Sequence, residues 1–271
     1  MNREKLIKQI KTRGTFLCVG LDSDLTLIPK HLLDFENPIL EFNKRLIDAT
    51  KELCVAYKPN FAFYEAMGSK GWEILKETVA YIGKDHLTIA DAKRGDIGNT
   101  AQKYAQAIFD DLGFDAVTVA PYMGEDSVLP FLEYKDKWTI ALALTSNPGH
   151  RDFQLIEANN GKFLYELVTE KLVQWGSPDQ LMLVVGATRS DYLQSLRDIA
   201  PDHFWLVPGV GAQGGSLQEV WEKGRNGDIG LLVNSSRGIQ YASSGEDFQN
   251  AAQQAAFDIQ QSMLQLLSTT R

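Results

Sequence analysis

The chain has 271 residues, with 27 Lys plus Arg against 35 Asp plus Glu, a formal net charge of −8 at pH 7. Hydrophobic residues at 44% and charged residues at 23% are ordinary for a folded globular protein, which excludes a disordered tail or a collagen-like rod. The acidic balance argues against non-specific nucleic-acid binding, which needs a positive footprint, but it permits a small anion held at one local positive site. No apolar run approaches a membrane span, and Met1–Lys11 is too charged for a secretory signal, so a cytoplasmic protein is expected. Cys18 and Cys54 sit in separate apolar runs and read as buried thiols of a reducing compartment.

Apolar, β-rich runs recur at Phe16–Leu21, Cys54–Tyr57, Leu87–Ala90, Ala116–Ala120, Thr139–Leu144, Leu181–Val185, Trp205–Val207 and Ile229–Val233. Their starts are roughly 20 to 40 residues apart, room for a βα unit each. Helical spacing lies between them, as in Phe42, Leu46 and Ala49, or Ile74, Leu75 and Val79. Thr188 and Asp191 have capping-box spacing ahead of Leu193 and Leu196. Ser244 and Asp247 offer a cap before the stripe Phe248, Ala252, Ala255, Ile259, Met263 and Leu266, which reads as a final helix covering the sheet.

The runs show little polar alternation, as strands covered on both faces do, and such sheets are parallel. No composition break marks a linker. The expected fold is α/β, a single (β/α)8 TIM barrel over residues 1–271, with an N-terminal helical extension and a C-terminal helix packed on the barrel. A doubly wound dinucleotide-binding sheet is the competing fold, and it needs a GxGxxG after an early strand. Here the first run ends Val19-Gly20-Leu21-Asp22, and Gly209-Val210-Gly211 comes late and out of pattern.

Polar residues gather where the runs end. Asp22 follows the first, Lys58-Pro59-Asn60 the second and Asp91-Ala92-Lys93-Arg94-Gly95-Asp96 the third. Thr145-Ser146-Asn147-Pro148-Gly149 follows the fifth, Pro208 to Gly215 the seventh and Asn234-Ser235-Ser236-Arg237-Gly238 the eighth. Carboxy-terminal strand ends meet on one face of a barrel, where its sites form. Asp91 and Lys93, two apart on an extended strand, would point the same way, with Asp96 just beyond. A lysine among carboxylates stays charged and suits proton donation to developing negative charge better than Schiff-base chemistry. The glycines from Gly209 to Gly215 expose backbone N–H groups to an anion, and Arg237 can add a bidentate bond to a phosphoryl group. No Gly-Lys-Ser or Gly-Lys-Thr ends that loop, so it is no nucleotide-hydrolysing P-loop. The four His and two Cys lack metal-ligand spacing, and Lys58 and Lys93 would compete with a cation for Asp22 and Asp91.

Taken together, these motifs and the run Ile97-Gly98-Asn99-Thr100 resemble the orotidine 5′-phosphate decarboxylase family, in its longer bacterial type (type 2), from Phe16 to about Gly238. The resemblance implies a cofactor-free, metal-free homodimer that converts orotidine 5′-phosphate to uridine 5′-phosphate and CO2, the last step of de novo pyrimidine nucleotide synthesis. It implies a catalytic network of Lys58, Asp91, Lys93 and Asp96, with Lys93 protonating C6 and Asp91 beside the substrate carboxylate. Asp96 and Thr100 would reach into the partner's site. Asp22 and Lys58 would hold ribose hydroxyls, and Ser146, or else Asn147, the pyrimidine edge. Pro208, Gly211, Gln213, Gly214 and Arg237 would enclose the phosphate end. The segments Ser146–Gly161 and Gly209–Gly215, rich in Gly or Asn, are expected to close over the substrate.

Overall fold

The structure, a computed structural model, describes residues 1–187, 190–210 and 216–269. Among them eight parallel strands close a barrel in sequence order: β1 (Leu17–Leu21), β2 (Ala56–Pro59), β3 (Leu87–Arg94), β4 (Ala116–Val119), β5 (Trp138–Leu144), β6 (Leu181–Val185), β7 (Phe204–Pro208) and β8 (Leu231–Ser235), with β8 pairing back onto β1. All five residues of β1 and of β6 are buried, as their unbroken apolar character requires when side chains fill the barrel on one face and meet helices on the other. The β8 run begins two residues later than its composition suggests, because Ile229 and Gly230 take left-handed backbone at φ 75° and 65° and turn the chain into the strand.

The helices are α1 (Arg3–Arg13), α2 (Pro38–Thr50), α3 (Phe61–Glu65), α4 (Ser69–Ile82), α5 (Gly98–Gln106), α6 (Leu129–Leu132), α7 (Leu164–Trp175), α8 (Ser190–Ile199), α9 (Leu217–Gly224), α10 (Arg237–Gln240) and α11 (Phe248–Ser268). Helix α1 starts at Asn2, whose side chain accepts from Lys5 N at 3.0 Å, and it stops at left-handed Gly14. It lies across the amino-terminal mouth of the barrel. Arg3 donates to the carbonyls of Pro178 and Asp202 at 2.8 Å each, Trp138 Nε1 to Met1 O at 2.8 Å, and Arg13 to Cys54 O at 2.9 Å. Nearby, the buried Arg197 guanidinium lies 3.9 Å from the centre of the Trp205 ring and donates to the carbonyls of Ala200, His203 and Gly224. With this end sealed by structural bonds, the carboxy-terminal strand ends are left for chemistry.

Helix α11 buries Phe248, Ala252, Ala256 and Met263, and Phe248 stacks on Phe42 of α2 at 5.5 Å. Its expected cap takes another form. Asp247 makes no side-chain cap bond; its carboxylate instead accepts from Ser243, one residue before Ser244, at 2.6 Å. Thr188 of the capping box expected ahead of α8 lies outside the described residues. Cys18 and Cys54 are buried free thiols; burial pushes both up in pKa, Cys54 to about 12, so neither is poised as a nucleophile. No helix among the described residues is long and apolar enough to cross a membrane.

Candidate active site

The charged centre spans the ends of β2, β3 and β4. Lys58 is 5% exposed, and its Nζ donates to Asp91 Oδ2 at 2.6 Å. Lys93 Nζ donates to the other oxygen of the same carboxylate, Oδ1, also at 2.6 Å, while 54% of its side chain stays open to solvent. Burial alone would raise the Asp91 pKa; Lys58 and Lys93 outweigh it and pull the carboxyl down to about 2. Burial also works against the charge on Lys58, but Asp91 and then Asp22 outweigh it and hold the ammonium above its ordinary value. Asp22, just past β1, has a buried Oδ1 with no hydrogen-bond partner among the described residues.

Asp91 and Lys93 converge, although not by alternation along an extended strand. Strands β3 and β4 pair at Ala90 with Val117 and resume at Arg94 with Val119, so three residues of β3 stand opposite Thr118 alone. This bulge puts Lys93 in left-handed backbone at φ 45°, a conformation that costs a side-chain-bearing residue energy and is tolerated where surroundings enforce it. Thr118, 1% exposed, meets the bulge with its hydroxyl: Oγ1 accepts the Lys93 N–H at 2.9 Å and lies 3.2 Å from Asp91 Oδ1.

Asp96 does not complete a ring of carboxylates around Lys93. Its Oδ1 accepts the backbone N–H of Ile97 at 2.8 Å instead, because the chain turns there into α5. Within one chain, and among the described residues, the expectation of Lys93 between carboxylates is therefore corrected: its ionic partner is Asp91. Thr100 lies exposed on the first turn of α5, and Ile97 beside it is 53% exposed.

Beyond β5, Ser146 is half-buried and Asn147 exposed, with the Asn147 carboxamide oxygen taken by Thr145 Oγ1 at 2.6 Å. Gln154 grips the base of this loop, accepting from Thr145 N and donating to Thr145 Oγ1, both at 2.8 Å. Gly186, one residue past β6, admits Ser146: a Cβ there would lie 2.7 Å from Ser146 N.

Pro208 ends β7 opposite Asn234 of β8, so the Arg237 turn and the loop after Pro208 leave from neighbouring strands. Arg237 opens α10 with its side chain exposed. The Tyr241 hydroxyl donates to Asp22 O at 3.0 Å and accepts from Asp24 N at 2.9 Å, tying that turn to the loop after β1. Gly211, Gln213 and Gly214, expected at the phosphate, lie outside the described residues.

Thr118, Gln154 and Tyr241 were not among the residues expected from sequence. Thr118 reads as one polar residue in an apolar strand, which most often only satisfies itself locally. Neither of the others carries a motif. Among the described residues no group of three or more His, Cys, Asp or Glu is placed to hold a metal ion.

Residues 15–254 match the model of the orotidine 5′-phosphate decarboxylase / HUMPS family. The chain is 55% identical over 270 residues to an orotidine 5′-phosphate decarboxylase of Bacteroides fragilis, covering 98% of each. It is 56% identical over 266 residues to one of Parabacteroides distasonis, covering 97% of this chain and 95% of the relative. The solved structure of Leishmania donovani OMP decarboxylase superposes with a TM-score of 0.82 at 36% identity, covering 97% of this chain and 99% of that one.

Proposed function

The chain belongs to the orotidine 5′-phosphate decarboxylase family, and from this premise we propose how it converts orotidine 5′-phosphate to uridine 5′-phosphate and CO2 in pyrimidine biosynthesis. The observation that carries the reading is the single Asp91 carboxylate holding both Lys58 and Lys93. Loss of CO2 leaves an electron pair on C6 of the pyrimidine, an sp² carbon with no neighbouring sink. The Lys93 ammonium stabilises that pair as it develops and delivers the proton that becomes C6–H. A charge fixed in advance does this without reorganising solvent. Asp91, ionised down to low pH, faces the substrate carboxylate, and the repulsion is relieved as CO2 departs. Lys58 keeps Asp91 oriented and, with Asp22, bonds ribose hydroxyls; the orphan Asp22 Oδ1 is an acceptor free for that purpose among the described residues.

Ser146, half-buried against Gly186, contacts the pyrimidine edge in preference to the exposed Asn147. Arg237 and the segment from Pro208 through Gly211, Gln213 and Gly214 take the phosphate, whose binding energy orients the distant ring. The whole chain serves as one catalytic domain, acting in the cytoplasm without a cofactor or metal. A buried ammonium bonded to Asp91 and attracted by Asp22 competes with any cation for those carboxylates.

The working unit is a homodimer in which Asp96 and Thr100 enter the partner's site. Supporting this, Asp96 makes no ion pair within its own chain among the described residues. Ile97, Tyr122 and Met123, from the loops after β3 and β4, leave 53%, 85% and 49% of their surfaces open. The deciding experiment measures CO2 release from orotidine 5′-phosphate by the wild type, by EDTA-treated wild type and by Lys93→Ala. Full activity after chelation and a loss of at least about 100-fold in the variant are expected for a positioned general acid. Activity that vanishes with EDTA, or a variant above a tenth of wild-type turnover, would overturn the reading.

A further inference from the structure

We propose that Thr118 is a positioning residue for the proton donor: its one hydroxyl fixes both the backbone of Lys93 and the carboxylate to which the Lys93 ammonium is bonded. The proposal rests on the reading of Lys93 as the acid. The bulge removes the Lys93 N–H from the β3–β4 ladder, since pairing skips from Ala90 to Arg94. A buried N–H without an acceptor is costly, and left-handed backbone at a lysine adds to that cost. Thr118 Oγ1 supplies the acceptor at 2.9 Å. The hydroxyl has one proton to give, with Asp91 Oδ1 at 3.2 Å and Ala90 O at 3.4 Å in reach. The ionised carboxylate is the stronger acceptor.

A closed ring results. It runs from Thr118 Oγ1 to Lys93 N, along the lysine side chain to Nζ, across to Asp91 Oδ1 and back to Thr118. Each member restrains the next, and Thr118 is too deeply buried for bulk water to take its place. When Lys93 has given up its proton, Asp91 loses one ionic partner, yet the hydroxyl still holds the same carboxylate oxygen. The donor and its counter-charge thereby return to one geometry for the next turnover. The hydroxyl touches neither substrate nor the reacting carbon in this assignment; it acts through Lys93 and Asp91.

The test compares Thr118→Val, which keeps the shape and removes the hydroxyl, with Thr118→Ser, which keeps the hydroxyl, and with Lys93→Ala. Expected for Thr118→Val is a kcat lowered by about tenfold or more, as small misplacements of a reacting group can do. KM for orotidine 5′-phosphate and the Kd of uridine 5′-phosphate should stay within about threefold, because the binding groups are untouched. Deuterium exchange at C6 of uridine 5′-phosphate in D2O, the reverse of the protonation step, should slow by a similar factor. Thr118→Ser should restore both rates to within about threefold of wild type, since a serine hydroxyl makes the same bonds. If Thr118→Val does not fold, Thr118→Ala removes the same hydroxyl and takes its place against Thr118→Ser. Wild-type kcat without the hydroxyl, equal losses with and without it, or a loss confined to KM would each overturn the proposal. An active Lys93→Ala overturns the acid assignment itself, whereas an inactive Lys93→Ala beside a fully active Thr118→Val overturns only the role of Thr118.

Discussion

A methyl group at position 20 would stand 1.9 Å from Ser236 Oγ and 2.8 Å from its Cβ, so the residue that follows β8 packs its side chain directly against Gly20 of the neighbouring β1. The next residue, Arg237, opens the turn that Tyr241 ties to the Asp22 loop. Gly20→Ala should destabilise the protein by about 1–3 kcal/mol, the usual cost of overpacking, and raise KM for the phosphorylated substrate. Adding Ser236→Gly should recover part of the stability, although Asn234 Nδ2 then loses the acceptor it holds at 3.1 Å. Denaturant midpoints of the single and double variants check this. A Gly20→Ala protein as stable as wild type would mean that the strand end moves aside freely.

Arg237 is expected to grip the phosphate. Arg237→Ala should lower kcat/KM for orotidine 5′-phosphate on the order of 100-fold, as loss of a charge-assisted contact does. Orotidine, which has no phosphate, should be almost unaffected. Some of the loss should fall on kcat if phosphate binding closes the surrounding loops. Equal proportional losses on both substrates would assign Arg237 to the fold or to the pyrimidine end.

Sharing of Asp96 between subunits can be tested by mixing two inactive proteins, Lys93→Ala and Asp96→Ala. A mixed dimer carries both substitutions in one site and neither in the other. With random exchange about half of the dimers are mixed, so roughly a quarter of all sites regain activity. Exchange without activity would mean that Asp96 serves its own subunit.

Acid should remove a specific stabilisation. The Asp91 carboxyl lies below its ordinary 3.8, at about 2, so its contribution is fully present above pH 4 and is lost as the pH falls through 2. The depression is worth about 2 kcal/mol. Asp91→Asn, which leaves buried Lys58 without its counter-charge, should be less stable at neutral pH, and its stability curve should approach that of the wild type between pH 4 and 2. Parallel curves through this window would show that Asp91 is not the group whose ionisation is stabilised.

The barrel was legible because its strands are apolar throughout and their carboxy-terminal ends are polar. Asp22, Lys58, Asp91 and Lys93 could be grouped on one face by that alone. The reason Lys93 reaches Asp91 was not legible. Strict alternation predicts the meeting from an extended strand, while the chain achieves it through a bulge that depends on β4. Thr118 and Gln154 escaped notice for a related reason: each acts on a backbone N–H, and which N–H groups lack ladder partners depends on register between strands distant in sequence. Asp96 shows the opposite limit, since its role is proposed for a second chain while, among the described residues, its own chain offers the Ile97 N–H.

The Tyr241 hydroxyl spans the loop after β1, bonding Asp22 O and Asp24 N across more than two hundred residues of chain. Proteins emerge from the ribosome amino terminus first, and early segments wait for later ones. Lys58, Lys93 and Asp91 leave the exit tunnel well before Tyr241 does. A nascent chain therefore carries its chemistry exposed but without the hydroxyl that holds the Asp22 loop. The Asp22 loop is held only once Tyr241 has emerged, and an amino-terminal fragment that stops short of Tyr241, however well its strands pair, lacks that closure.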